Sequence, residues 1–131
     1  MAENDLEIYK QRYETFRYLD RLRWQMLQLL IAVGSASALV VRATEAPLEW
    51  WFFTIVGAVV MAIGFAMSRI STGIRKNGEV LRHFGEKVGD TGIPDVADPS
   101  KSVGFWITNF TIVFGFVLIC WGVSLTGTPS Y

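Results

Sequence analysis

Few side chains in this sequence could serve as catalytic residues or metal ligands, and their spacing favours neither role. The chain has one histidine, His83, whose acidic neighbours on a helix would be Glu79 and Glu86. These three residues are expected on the solvated face of a charged helix, whereas a zinc site needs three or four convergent ligands. The sole cysteine, Cys120, lies in an apolar block without a neighbouring His or Asp, which favours a packing role over a nucleophile. The sequence therefore predicts a protein that is not an enzyme and needs no metal or cofactor.

Apolar residues make up 51% of the chain and collect in three blocks, at residues 26–42, 48–68 and 103–125. A helix needs roughly 20 apolar residues to cross a bilayer, and the first block qualifies if its flanking side chains snorkel. A soluble protein would have too little polar chain left to cover three such helices. We therefore predict an all-α integral membrane protein with three transmembrane helices and the lipid bilayer as partner. The balance of 12 basic and 12 acidic residues gives no support for a nucleic-acid partner.

The basic residues predict the orientation of these spans. Lys and Arg concentrate in the N-terminal segment 1–25 and in the link 69–102, whereas the turn at 43–47 and the tail at 126–131 have none. Because Lys and Arg are retained on the cytoplasmic side, the N-terminus is expected in the cytoplasm and the C-terminus outside.

The segments beside the first two spans are also expected to be helical. Apolar residues recur every three or four positions through residues 1–25 and again through 69–89, which predicts an apolar stripe on each helix. Packed together, the two helices would extend a transmembrane hairpin as an antiparallel cytoplasmic stalk, followed by a loop at 90–102. The alternative is that the N-terminal helix lies flat on the membrane surface. The predicted stalk seam consists of Tyr13, Phe16, Leu19, Ile74, Leu81 and Phe84.

Small residues recur within the spans at spacings that let helix backbones approach closely. Spacings of four occur in the first two spans, and glycines also recur seven apart, at Gly57 and Gly64 and at Gly115 and Gly122. There are more small-residue faces than three helices need among themselves, which favours a homo-oligomer. Asn109 is expected either to hydrogen-bond between helices or to meet water at the inner interface. The predicted helix-packing residues are Gly34, Ala38, Gly57, Ala58, Ala62 and Asn109.

The helix "RYETFRYLDRLRW" leading into the hairpin and the helix "RISTGIRKNGEVLRHFGEKVGD" leading out give an architecture over residues 5–100 that resembles the SLATT group of small bacterial membrane proteins. The resemblance implies a pore-forming or membrane-perturbing effector of a bacterial conflict system, located in the bacterial inner (plasma) membrane. A third span departs from the simplest two-span form of that group. The alternative hypothesis is a constitutive scaffold or accessory subunit whose stalk docks a cytoplasmic protein or receives a signal.

Overall fold

A computed structural model describes residues 3–45, 47–89 and 102–127. These residues form three α-helices and no β-strand: α1 (Glu3–Ala43), α2 (Trp50–Val88) and α3 (Val103–Leu125). The prediction of an all-helical chain with three helices long and apolar enough to cross a membrane is confirmed. Most of the predicted loop 90–102, the end of the predicted tail 126–131 and Ala46 in the predicted turn lie outside the described residues.

Length separates α1 and α2 from α3. At about 1.5 Å per residue, the 41 residues of α1 and the 39 of α2 each extend for about 60 Å. The 23 residues of α3 extend for about 35 Å. Since the hydrocarbon core of a bilayer is about 30 Å thick, α3 is long enough to cross it once, whereas α1 and α2 are about twice as long as a crossing requires.

The ends of the helices follow from local chemistry. No glycine or proline precedes Gly34 in α1, so nothing interrupts the helix between its charged and apolar halves. Acidic residues in its first turn and Arg42 in its last turn complement the helix dipole. Helix α2 ends at Val88 and is capped by Gly89, whose φ of 79° is left-handed and whose N–H donates to the carbonyl of Gly85. Glycine adopts this conformation without the steric cost of a Cβ atom.

Helix α2 is the central element, because α1 and α3 each pack against it and make no close backbone approach to each other. Its buried residues recur at intervals of three and four along most of its length. The buried residues of α2 are Gly57, Val60, Ile63, Gly64, Met67, Ile70, Ile74, Gly78, Leu81 and Gly85. Helix α1, by contrast, contributes no buried residue at all.

Candidate functional site

The backbones of α2 and α3 touch at Gly57 and Gly115. A Cβ atom placed on Gly115 would lie 2.7 Å from the backbone nitrogen of Met61 and 2.8 Å from the carbonyl oxygen of Gly57. A Cβ atom on Gly57 would lie 2.7 Å from the carbonyl oxygen of Gly115. Backbone atoms cannot move aside as a flexible side chain can, so this approach is open only to glycine at both positions.

Two further glycines extend this contact in opposite directions along the helices. A Cβ atom on Gly64 would lie 3.1 Å from the backbone nitrogen of Ile112, and one on Gly122 would lie 2.8 Å from the carbonyl oxygen of Trp50. Each pair of glycines is seven residues apart, a spacing that returns almost to the same face of a helix. We call Gly57, Gly64, Gly115 and Gly122 the glycine contact. It holds α2 and α3 together with their directions opposed.

Two threonines bring hydroxyl groups into the buried face of α3. Thr108 and Thr111 are both buried, and the Thr111 hydroxyl donates to the carbonyl of Ile107 at 2.8 Å. The Thr108 hydroxyl and the hydroxyl of Ser71 on α2 are buried without a hydrogen-bond partner among the described residues. Hydroxyl groups of Ser and Thr commonly hydrogen-bond across transmembrane helices.

The contact between α1 and α2 is made by side chains rather than by backbone. A Cβ atom on Gly73 would lie 3.2 Å from Cδ1 of Leu19, so the leucine fills the space that the glycine leaves. Further along, Nη1 of Arg12 donates to Oδ1 of Asn77 at 3.2 Å, and Nδ2 of Asn77 donates to the carbonyl of Gly73 at 2.9 Å. Because Arg12 precedes Leu19 while Asn77 follows Gly73, these contacts run in opposite directions along the two helices.

The six residues of the predicted stalk seam lie in different environments. Ile74 and Leu81 are buried, while Phe16, Leu19 and Phe84 are half-buried. Tyr13 is exposed, and its ring stacks on Tyr9 of the same helix with 6.2 Å between centroids. Leu19 is brought against Gly73, beside Ile74.

Of the six predicted helix-packing residues, Gly57 lies in the glycine contact. A Cβ atom on Gly34 would have nothing beyond its own helical turn within 4 Å, and Ala38, Ala58 and Ala62 are exposed. Asn109 is also exposed, and its Nδ2 donates to the carbonyl of Phe105 in its own helix at 2.9 Å.

Gly64, Gly115 and Gly122 were not among the predicted packing residues. Their seven-residue recurrence in two different spans is visible in the sequence and favours close backbone approach, but it did not place them in the predicted set. Spacings of four, which favoured Ala58 and Ala62, occur on more than one face of α2. Sequence spacing alone does not separate the face that meets α3 from a face that meets lipid.

Comparison with protein-family models, curated proteins and solved structures finds no match for this chain.

The residues suited to chemistry lie apart from the helix contacts. Glu79, His83 and Glu86 are all exposed on α2, where Glu86 lies 3.9 Å from Nε of Arg82 and the His83 ring meets the edge of Phe84. Across the described residues, no group of three or more His, Cys, Asp or Glu side chains is placed to hold a metal ion. Cys120 is exposed on α3.

Proposed function

We propose that this chain is a non-enzymatic membrane protein whose three helices span the bilayer and whose copies associate with one another. The observation that carries the proposal is the exposure of α1. All of its residues are at least partly exposed although half of the helix is apolar. In lipid, helices associate through close van der Waals contact between small residues rather than by escaping water. Gly34 and Ala38 on α1, and Ala58 and Ala62 on α2, offer such surfaces to a second copy.

The first two helices, in this proposal, form a transmembrane hairpin that continues as a stalk. Both exceed the thickness of the hydrocarbon core by about 30 Å. The short connection between Ala43 and Trp50 puts their excess length on the same side of the membrane. The contacts of Leu19 with Gly73 and of Arg12 with Asn77 support a paired stalk over an N-terminal helix lying flat on the surface.

The proposed orientation places this stalk in the cytoplasm and the C-terminus outside. We call the parts of α1 and α2 beyond the apolar segments, residues 3–25 and 69–88, the extensions. The orientation rests on their basic residues, since Lys and Arg are retained on the cytoplasmic side. The proposed location is the bacterial plasma membrane. Together with the resemblance to the SLATT group, this layout makes a membrane-perturbing or pore-forming effector of a conflict system our proposed role for the oligomer.

The experiment is a mass measurement of the full chain in lipid nanodiscs, with two matched double variants. Gly34→Leu/Ala38→Leu adds bulk to the face of α1 that is predicted to associate, while Ala32→Leu/Ala36→Leu adds similar bulk to a second pair of small residues on the opposite face of the same exposed segment. We expect an oligomer for the wild type and the control, and a monomer for the first variant. A monomeric wild type would contradict self-association.

A second candidate is a constitutive scaffold or accessory subunit. The observation that favours it is the length of the extensions of α1 and α2, which present exposed polar side chains to a cytoplasmic partner. The same mass measurement, made on protein purified from native membranes, separates the two roles. A defined complex with one unrelated protein would favour the scaffold, and a homo-oligomer that dissipates the membrane potential when its expression is induced would favour the effector.

A further inference from the structure

Basic side chains of α1 and α2 are concentrated in one zone. Residues 17–23 and 69–76 carry six basic side chains and a single acidic one, Asp20, for a net formal charge of +5. The parts of the two helices beyond this zone, residues 3–14 and 77–88, carry four basic and six acidic side chains, for a net charge of −2. We call the six basic residues of the zone the basic belt: Arg17, Arg21, Arg23, Arg69, Arg75 and Lys76.

The packing of α1 on α2 brings the two halves of the basic belt to the same level. Leu19 lies against Gly73, and these two residues fall within the segments 17–23 and 69–76. The next contact, between Arg12 and Asn77, lies just beyond the belt. The six charges therefore lie within one short section of the helix pair instead of being spread along it.

The protein itself leaves most of this charge unneutralised. Asp20 accepts a hydrogen bond from Nη2 of Arg23 at 2.6 Å. The other five belt residues are exposed, and none of them forms an ion pair within the part of the chain that the structure describes. Like charges held this close repel one another, so the belt favours an external anion.

The basic belt lies where the apolar part of the molecule begins. Trp24 follows Arg23 directly and is 58% exposed. Helix α3 starts at this level, since a Cβ atom on Gly104 would lie 3.3 Å from Nη1 of Arg23, and the nearby Trp106 is 64% exposed. Exposed tryptophans are typical of the boundary between hydrocarbon and headgroups. This position puts the belt at the depth of lipid phosphate groups.

We propose that the basic belt is a binding site for the headgroups of anionic phospholipids. Clusters of four to eight Lys and Arg residues beside a transmembrane helix attract anionic lipids, and the planar guanidinium group can bind phosphate oxygens with two parallel hydrogen bonds. Five of the six belt residues are arginine. The proposal rests on the proposed insertion of the three helices in a bilayer.

The test measures lipid preference in vesicles of phosphatidylcholine that contain about one-fifth phosphatidylglycerol. All proteins in this test carry phenylalanine in place of Trp50, Trp51 and Trp121, so that tryptophan quenching by brominated forms of each lipid reports which lipid surrounds Trp24 and Trp106. We expect a severalfold preference of the wild type for phosphatidylglycerol at low salt, which weakens as added salt screens the charges. An equal preference for both lipids would overturn the proposal.

Two quadruple variants that each remove four positive charges show which residues cause the lipid preference. Arg17→Gln/Arg21→Gln/Arg69→Gln/Arg75→Gln removes four charges of the belt, and Lys10→Gln/Arg12→Gln/Arg82→Gln/Lys87→Gln removes four charges beyond it. The belt variant should lose the preference and the distal variant should keep it, with both retaining the helical circular dichroism of the wild type. If both variants lost the lipid preference equally, net charge and not the position of the basic belt would cause it, and the proposal would be overturned.

Two controls distinguish the proposed lipid site from a failure of membrane insertion and from a site for soluble anions. Flotation of the wild type with vesicles of phosphatidylcholine alone tests membrane insertion, so a protein that floats and shows no lipid preference disproves the belt while leaving the proposed function standing. Titration of inorganic phosphate into the protein in neutral detergent should give no measurable binding. Tight binding of free phosphate would mean a soluble anion site and would overturn a lipid site.

Discussion

The two helix contacts of this molecule are built differently although they share α2. Helix α3 meets α2 through the glycine contact, where backbone touches backbone, whereas α1 meets it through side chains such as Leu19. Lipid provides no hydrophobic driving force for association, so close backbone packing must hold α3 in place. Helix α1 is instead joined to α2 by a short connection and by contacts along the extensions.

Leucines on these helices illustrate the same difference. Leu81, in the extension of α2, is 1% exposed, whereas Leu39, in the apolar half of α1, is 67% exposed. In water an exposed leucine loses the free energy of apolar burial, about 2 kcal/mol. In hydrocarbon that penalty vanishes. The proposed membrane location therefore explains why the molecule buries one leucine and leaves the other uncovered.

The largest effect is expected for Leu81→Ala. The substitution leaves a cavity in the contact between the extensions of α1 and α2. It should destabilise this contact by about 3 kcal/mol. Amide hydrogen exchange of residues 69–88 should then become faster on the order of a hundredfold, provided that exchange follows local opening. Leu39→Ala is the matched control, since it removes the same atoms from an exposed position. An unchanged exchange rate for Leu81→Ala would mean that this leucine does not hold the extensions together.

A smaller loss of stability is expected for Gly115→Ala. The new methyl group would collide with the backbone of Met61 and Gly57, so the two helices must separate, at a cost of about 2 kcal/mol. The free energy of unfolding can be measured by titrating SDS into bicelles that contain the protein.

The control for this variant is Gly34→Ala, which adds the same methyl group where nothing else in the chain lies within 4 Å. Both variants are measured with no more than one chain per bicelle, because Gly34 lies on the proposed self-association face. It should leave the stability unchanged or raise it slightly, because alanine favours a helix more than glycine does. Equal losses for both variants would show that glycine acts through backbone flexibility and not through close approach.

The helices could be predicted from the sequence, but their contacts could be predicted only in part. Three apolar blocks and the absence of glycine and proline before Gly34 are sufficient for an all-helical chain with three membrane-length helices. Outside the apolar segments, alternation of polar and apolar residues predicts buried positions such as Ile74 and Leu81. Within α3 nearly every residue is apolar, so the side that meets α2 is marked only by small and hydroxyl-bearing residues, Thr108, Thr111, Gly115 and Gly122.

The choice among small residues was ambiguous for the same reason. Alanines at intervals of four and glycines at intervals of seven both favour close packing. Ala58 and Gly57 are adjacent in sequence, yet they point to different sides of α2, and the glycine meets α3 while the alanine stays exposed. The distinction depends on backbone distances in three dimensions. Glycine at both Gly57 and Gly115 permits a closer approach than any pairing with alanine.

The smallest effect is expected for Asn77→Ala, which removes the polar bond between the extensions. The bond from Arg12 is 3.2 Å long and exposed, so it competes with water and contributes little to stability. Alanine also favours the helix more than asparagine does, which offsets part of the loss. The free energy of unfolding should stay within about 0.5 kcal/mol of the wild type. A loss as large as that of Leu81→Ala, one turn further along the same helix, would mean that polar contacts rather than apolar burial join α1 to α2.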